Sequence, residues 1–82
     1  MFYTYVLLSL KDNNFYIGFS DNLKQRYKIH CDGGVSATRN RRPLKLVYFE
    51  ACLDKQKALE REKYFKTGFG RRYLKNRINI PR

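Results

Sequence analysis

Apolar and polar positions follow two rhythms along this chain, and each change of rhythm marks an element. Phe2 to Ser9 is β-branched, aromatic and free of charge, which predicts a strand. Lys11-Asp12-Asn13-Asn14 supplies turn residues and Phe15 to Gly18 predicts a second strand, so the two form a hairpin. Ser20 or Asp21 can cap a helix running to about Cys31. Asp32-Gly33-Gly34 ends that helix and opens a basic loop, Thr38-Arg39-Asn40-Arg41-Arg42, closed by Pro43. Leu44 to Ala51 predicts a third strand. Asp54 can cap a helix to about Thr67, and beyond Gly68 and Gly70 a short basic helix covers Arg71 to Arg77.

The order ββαβαα predicts an α+β fold, one small antiparallel sheet of three strands flanked by helices. No repeat, low-complexity tract or linker divides the chain, so residues 1–82 are expected to form a single domain around one core. Seven Tyr and six Phe supply the buried area that so short a chain needs, and exclude a disordered tail.

Charge narrows the function classes. The chain carries 18 Lys and Arg against 7 Asp and Glu, a net charge of +11. A field of that sign attracts nucleic acid or an anionic membrane surface. The longest nearly apolar run, Phe2 to Leu10, is about half the length of a spanning helix. Its Tyr and Thr content, with no basic residue before it, also argues against a signal peptide, and a cytoplasmic protein is expected. Cys31 and Cys52 lack the companions of a zinc site and are expected to be reduced thiols.

Several residues break the apolar pattern. Leu23, Arg26, Tyr27 and His30 share one face of the first helix, and Leu23 and Tyr27 should dock it on the sheet. Arg26 and His30 then border the buried face. The spacing fits a functional pair, or an arginine extending past Tyr27 and a histidine suited to the helix C-terminus. On the next long helix Glu62 lies within the stripe Ala58, Leu59 and Phe65. A carboxylate there must be paired, hydrogen-bonded or metal-bound, because desolvating it alone costs several kcal/mol. A structural salt bridge satisfies that demand; so does a single oxygen ligand for Mg²⁺, an ion that keeps most of its water. Tyr3 and Tyr5 share one sheet face, Tyr16 projects from the neighbouring strand, and such a stripe also suits a core. Gly18 permits close backbone approach or a turn. Basic residues cluster at Arg39, Arg41, Arg42 and Lys45 and again at Lys66, Arg71, Arg72, Lys75 and Arg77, which points to phosphate contact without any base-reading code.

Taken in order, Tyr3-Thr4-Tyr5, Tyr16-Ile17-Gly18, Asn22-Leu23-Lys24-Gln25-Arg26, His30 and Ala58-Leu59-Glu60-Arg61-Glu62 resemble the GIY-YIG nuclease superfamily. The stretch from Glu62 to Arg72 resembles small stand-alone bacterial members. The first triplet departs from Gly-Ile-Tyr and keeps only its tyrosine. The resemblance implies a three-stranded antiparallel sheet with flanking helices, a divalent ion (Mg²⁺ or Mn²⁺) and hydrolysis of a DNA phosphodiester. It implies catalytic roles for Tyr5, Tyr16, Arg26, His30 and Glu62, with Glu62 the metal ligand; a late polar residue of the family corresponds loosely to Asn76.

The mechanism expected is that Tyr5 takes a proton from the attacking water with His30 as its acceptor, Arg26 contacts the phosphate, and Tyr16 positions water or phosphate. The expected substrate class is branched or damaged DNA, in repair or recombination. Two other readings stand beside it: a binding module that keeps the fold but cuts poorly or only with a partner, and a basic RNA- or ribosome-associated protein. Specificity would come from the module, a homodimer or a partner protein.

Overall fold

The computed structural model describes residues 1–79. Strands β1 (Phe2–Ser9) and β2 (Phe15–Ser20) form an antiparallel hairpin, and β3 (Leu44–Cys52) pairs antiparallel with the other edge of β1. The sheet order is β2-β1-β3, so the most apolar strand is the central one. Helix α1 (Leu23–Cys31) and the single turn α2 (Ser36–Arg39) lie between β2 and β3; α3 (Lys55–Phe65) and α4 (Gly68–Arg77) follow.

Strand alternation divides the core between the two sheet faces. One face carries Tyr5, Leu7 and Leu44, closed by Leu23 and Tyr27 of α1. The other carries Val6 and Ile17 under Phe65 of α3 and Leu74 of α4. A bulge in β3 opposite Val6 and Leu7 interrupts the alternation. Leu46 packs in the first cluster, whereas Val47 and Tyr48 both pack in the second.

The helix ends differ from expectation in three places. β2 runs on to Ser20, which pairs with Tyr3, so Ser20 belongs to the sheet and Asn22 caps α1 by accepting from the Gln25 N–H at 3.2 Å. The stretch read as a basic loop contains α2, held by burial of Thr38. α4 begins at Gly68, three residues earlier than expected, with Thr67 as its cap. Asp54 caps α3 as its sequence position suggests, accepting from the Gln56 and Lys57 N–H groups.

A polar clamp sets the rotation of α3. The Arg61 guanidinium donates to both oxygens of Glu50 on β3 at 2.8 Å each, and Tyr48 donates to the same carboxylate at 2.7 Å. The same guanidinium lies 4.5 Å from the Phe65 ring centroid and 5.4 Å from that of Tyr73. Arg61 holds the Glu50 carboxyl below the usual carboxylate range. Glu62 is the next residue along the helix, so the clamp also determines where that carboxylate points. Among the described residues no helix is long and apolar enough to cross a membrane, and both cysteines are free thiols.

Candidate active site

Tyr5 sits on the central strand directly opposite Gly18 of β2. The tip of its ring lies over that glycine, where any Cβ would overlap the Tyr5 ring and hydroxyl. The missing side chain at residue 18 is therefore the seat of Tyr5. The Tyr5 hydroxyl meets His30 Nε2 at 2.7 Å. The other imidazole nitrogen, Nδ1, meets the Thr38 hydroxyl at 2.8 Å. Tyr5 is 1% exposed and His30 and Thr38 are 0% exposed, so this row of three groups is sealed from solvent along most of its length. Tyr16 packs edge-on against the same imidazole, with ring centroids 5.3 Å apart.

Arg26 lies one turn before His30 on α1, half-buried, and lines a groove of about 360 Å³ with Ser20, Asn22 and Gln25. Burial pushes the Tyr5 phenol above its ordinary value; the Arg26 guanidinium beside it pulls the other way, while Tyr16 and the Glu62 carboxylate add to the rise. Residues from β1, β2, α1 and α3 thus act on one hydroxyl. His30 is pushed down to about 4 by burial, with the Arg26 charge adding to the effect. At neutral pH the phenol and the imidazole are both uncharged.

The His30 shift has a consequence for stability. The unfolded chain binds a proton near the ordinary value of 6.5 and the folded chain only near 4. Folding stability is therefore complete above 6.5 and is lost as pH falls towards 4. Between pH 7 and pH 5 we expect the unfolding free energy to drop by about 2 kcal/mol. Denaturant titrations at the two values measure it, and His30→Asn should remove most of the difference. An equal loss in that variant would place the titration elsewhere.

Glu62 is 23% exposed at its side chain, and its one ion partner among the described residues is Lys66, at 3.4 Å across one helical turn. That pair is long and wet, worth a few tenths of a kcal/mol, and leaves carboxylate oxygens free for another cation. Among the described residues no three His, Cys, Asp or Glu side chains come together. Such a donor set does not suit zinc, which needs three or four protein ligands. It fits a hard divalent ion held by one carboxylate and otherwise by water.

The predicted phosphate contacts divide into two kinds. Arg41 is occupied within the fold: it forms a two-point contact with Asp12 at 2.7 and 3.2 Å and donates to the Asn14 carbonyl at 3.2 Å. It holds the Asp12 carboxyl down to about 2 and ties the hairpin turn to the loop after α2. Arg39 and Arg42 each spend their Nε–H on a backbone carbonyl, those of Gly33 and Arg39 respectively, but remain exposed. Lys45, Lys66, Arg71, Arg72, Lys75 and Asn76 are also exposed. Of these, Lys45, Arg71, Arg72 and Lys75 have no carboxylate within salt-bridge distance among the described residues.

Two residues escape a reading of the sequence. Thr38 lies beyond a Gly-Gly break from His30, so no periodicity links them. Phe69, 75% exposed, shares a face of α4 with Arg72 and Asn76 at i, i+3 and i+7. An aromatic side chain standing among arginines is suited to stacking on an unpaired base. Only the glycines around it hint at this from sequence.

A three-stranded antiparallel sheet flanked by helices defines a small α+β domain. The family model described as the GIY-YIG catalytic domain matches residues 1–79, and the chain belongs to that family, within the nuclease superfamily. It is 46% identical over 67 residues to the UPF0213 protein CPE1444 of Clostridium perfringens, covering 80% of this chain and 71% of that one. It is 38% identical over 63 residues to the UPF0213 protein YazA of Bacillus subtilis, covering 76% and 64%. Among solved structures it resembles the solution structure of the UPF0213 protein BH0048 from Bacillus halodurans, at TM-score 0.55 and 32% identity, over 90% of this chain and 82% of that one. These names state no activity.

Proposed function

We propose that the protein is a divalent-metal-dependent DNA endonuclease whose reaction centre is the Tyr5 hydroxyl with Tyr16, Arg26, His30 and Glu62. The observation that carries this reading is the buried Tyr5 hydroxyl bonded to His30, with Arg26 and Glu62, from two different helices, close enough to act on its charge. A structural ion pair explains neither the buried phenol nor the glycine beneath it.

Arg26 binds the scissile phosphate and offsets the negative charge that grows on it. Tyr5 takes the proton of the attacking water, for which it must first lose its own, an expensive step while burial holds its pKa high. Tyr16, held edge-on by His30, orients water or phosphate. Glu62 would hold a Mg²⁺ or Mn²⁺ ion, which would supply stabilisation of the negative charge that develops in the reaction. The exposed cations of α4, with Arg39, Arg42, Lys45 and Lys66, carry the flanking DNA by its backbone. Phe69 beside them favours substrates with unpaired bases, branched or damaged DNA among them, handled in the cytoplasm during repair or recombination. Further selectivity comes from a second copy or a partner protein.

Cleavage of end-labelled single-stranded, duplex, flap and four-way-junction DNA tests this. We expect products with Mg²⁺ or Mn²⁺, none with chelator, and more at alkaline pH as the phenol ionises. Binding without cutting at any pH or with either ion would favour the second reading, a binding module that retains the fold. The raised phenol and the neutral imidazole are the observations on its side.

A further inference from the structure

The row Tyr5–His30–Thr38 contains a counting problem. A neutral phenol, a neutral imidazole and a threonine hydroxyl bring three protons on hydrogen-bonding atoms. The two contacts between them, at 2.7 and 2.8 Å, can each take one. One proton must therefore point out of the row, at one end or the other. At the inner end lies Thr38, 0% exposed, whose hydroxyl has His30 as its only side-chain hydrogen-bond partner among the described residues. A hydroxyl proton left there would be buried and unpaired, the costly arrangement. At the outer end the Tyr5 hydroxyl, 1% exposed, has Tyr16 and the Glu62 carboxylate among the groups that act on its charge, and their oxygens are acceptors of a kind that the Thr38 end lacks.

We infer that Thr38 is a positioning residue: its hydroxyl donates to His30 Nδ1, placing the imidazole proton on Nε2 so that His30 donates to the Tyr5 oxygen. This inference rests on the nuclease reading for its catalytic meaning, but not for its structural content. It reverses the role that the sequence suggests for His30. The imidazole does not receive the phenol's proton; together with Arg26 it hydrogen-bonds and stabilises the phenolate once that proton has left to solvent. The phenolate then takes a proton from water and is a phenol again; the resulting hydroxide attacks phosphorus as the bond to the leaving oxygen breaks, and that oxygen takes up a proton from solvent, balancing the one the phenol first released. The short helix α2 supports this arrangement, because it is the element that brings Thr38 under the ring.

Among the described residues, the charged groups that act on this row are Arg26 and Glu62. The packed elements present Arg26 from α1 and Glu62 from α3 to this row, both at the Tyr5 end, and Thr38 is the only α2 side chain bonded to it.

His30 is the sole histidine, so its ring nitrogens can be read without ambiguity. Long-range ¹H–¹⁵N correlations on the wild-type chain, without DNA or metal, should show a protonated Nε2 and an unprotonated Nδ1 at pH 7. Thr38→Val should disturb that pattern, lower the cleavage rate by roughly 10- to 100-fold, as losses of histidine-orienting partners commonly do, and move the rising limb of the pH–rate profile to higher pH. Thr38→Ser should restore all three. A merely structural threonine would lower the melting temperature without changing the imidazole signature or the pH limb. A wild-type ring protonated on Nδ1 overturns the inference, even if Thr38→Val fails to fold. So does a folded Thr38→Val protein with an unchanged ring. Should no DNA be cut under any condition, the nuclease reading falls while the nitrogen spectrum still decides the inference.

Discussion

Glu62→Gln should lower cleavage by about a thousandfold or more while the protein stays folded and bound to DNA. The magnitude follows from what the carboxylate is asked to supply. Charge stabilisation by a held divalent ion is worth several kcal/mol, and each 1.4 kcal/mol is about tenfold in rate. With one carboxylate at the site and no supporting cluster among the described residues, nothing else takes over its task. The fold has little reason to notice the change. The Lys66 contact at 3.4 Å is exposed, and such helix pairs contribute about 0.5 kcal/mol or less. Removing a negative charge from so basic a surface should hold DNA affinity or raise it slightly. Glu60→Gln, on an exposed position of the same helix, is the matched control and should cut at the wild-type rate. Single-turnover cleavage, thermal melts and DNA titrations of the three proteins complete the comparison. Wild-type cutting by Glu62→Gln would remove the metal assignment.

Gly70→Ala should be the most destabilising single methyl in the chain, by about 3 kcal/mol or more. Inside a helix, alanine ordinarily improves on glycine by about 1 kcal/mol. Here the added Cβ would run into the Tyr64 carbonyl oxygen and lie 2.6 Å from the Phe65 Cα, both backbone atoms of α3 that cannot rotate away. The two helices would have to separate, opening the contact between Phe65 and Tyr73, whose rings stack at 5.9 Å. In a small domain with only 5–15 kcal/mol to lose, such a change should lower Tm by about 15 °C. Gly68 provides the control. A Cβ there meets nothing within 4 Å, so Gly68→Ala should be neutral or mildly stabilising. Equal melting of the two variants would show that α4 does not need its close approach to α3.

These glycines also show where sequence reading ends. Gly68 and Gly70 look like a loop because glycine is a poor helix former. The structure makes them the first turn of α4, since helix contact outweighs propensity. Ser20 looks like a cap and becomes the last residue of β2, paired with Tyr3 across the hairpin. Arg41 looks like a phosphate contact, yet Asp12, twenty-nine positions away, takes its guanidinium. For Ser20 and Arg41 the deciding partner is distant along the chain, and for Gly70 it is the backbone of the preceding helix, a packing that no local pattern reveals.

The sequence by itself determined the three strands, the two long helices and the cap at Asp54, because alternation, helical spacing and capping chemistry are local. Its ordered tyrosines, arginine, histidine and glutamate also sufficed to place the chain in its family. Only the tertiary structure decided that Tyr5 lies over Gly18, that Thr38 comes under His30, and that Arg61 turns α3 against Glu50. It also decided that the imidazole stays uncharged well below neutral pH and that the phenol is harder still to ionise, because desolvation depends on what surrounds a group in space, and residues from four separate elements supply those surroundings.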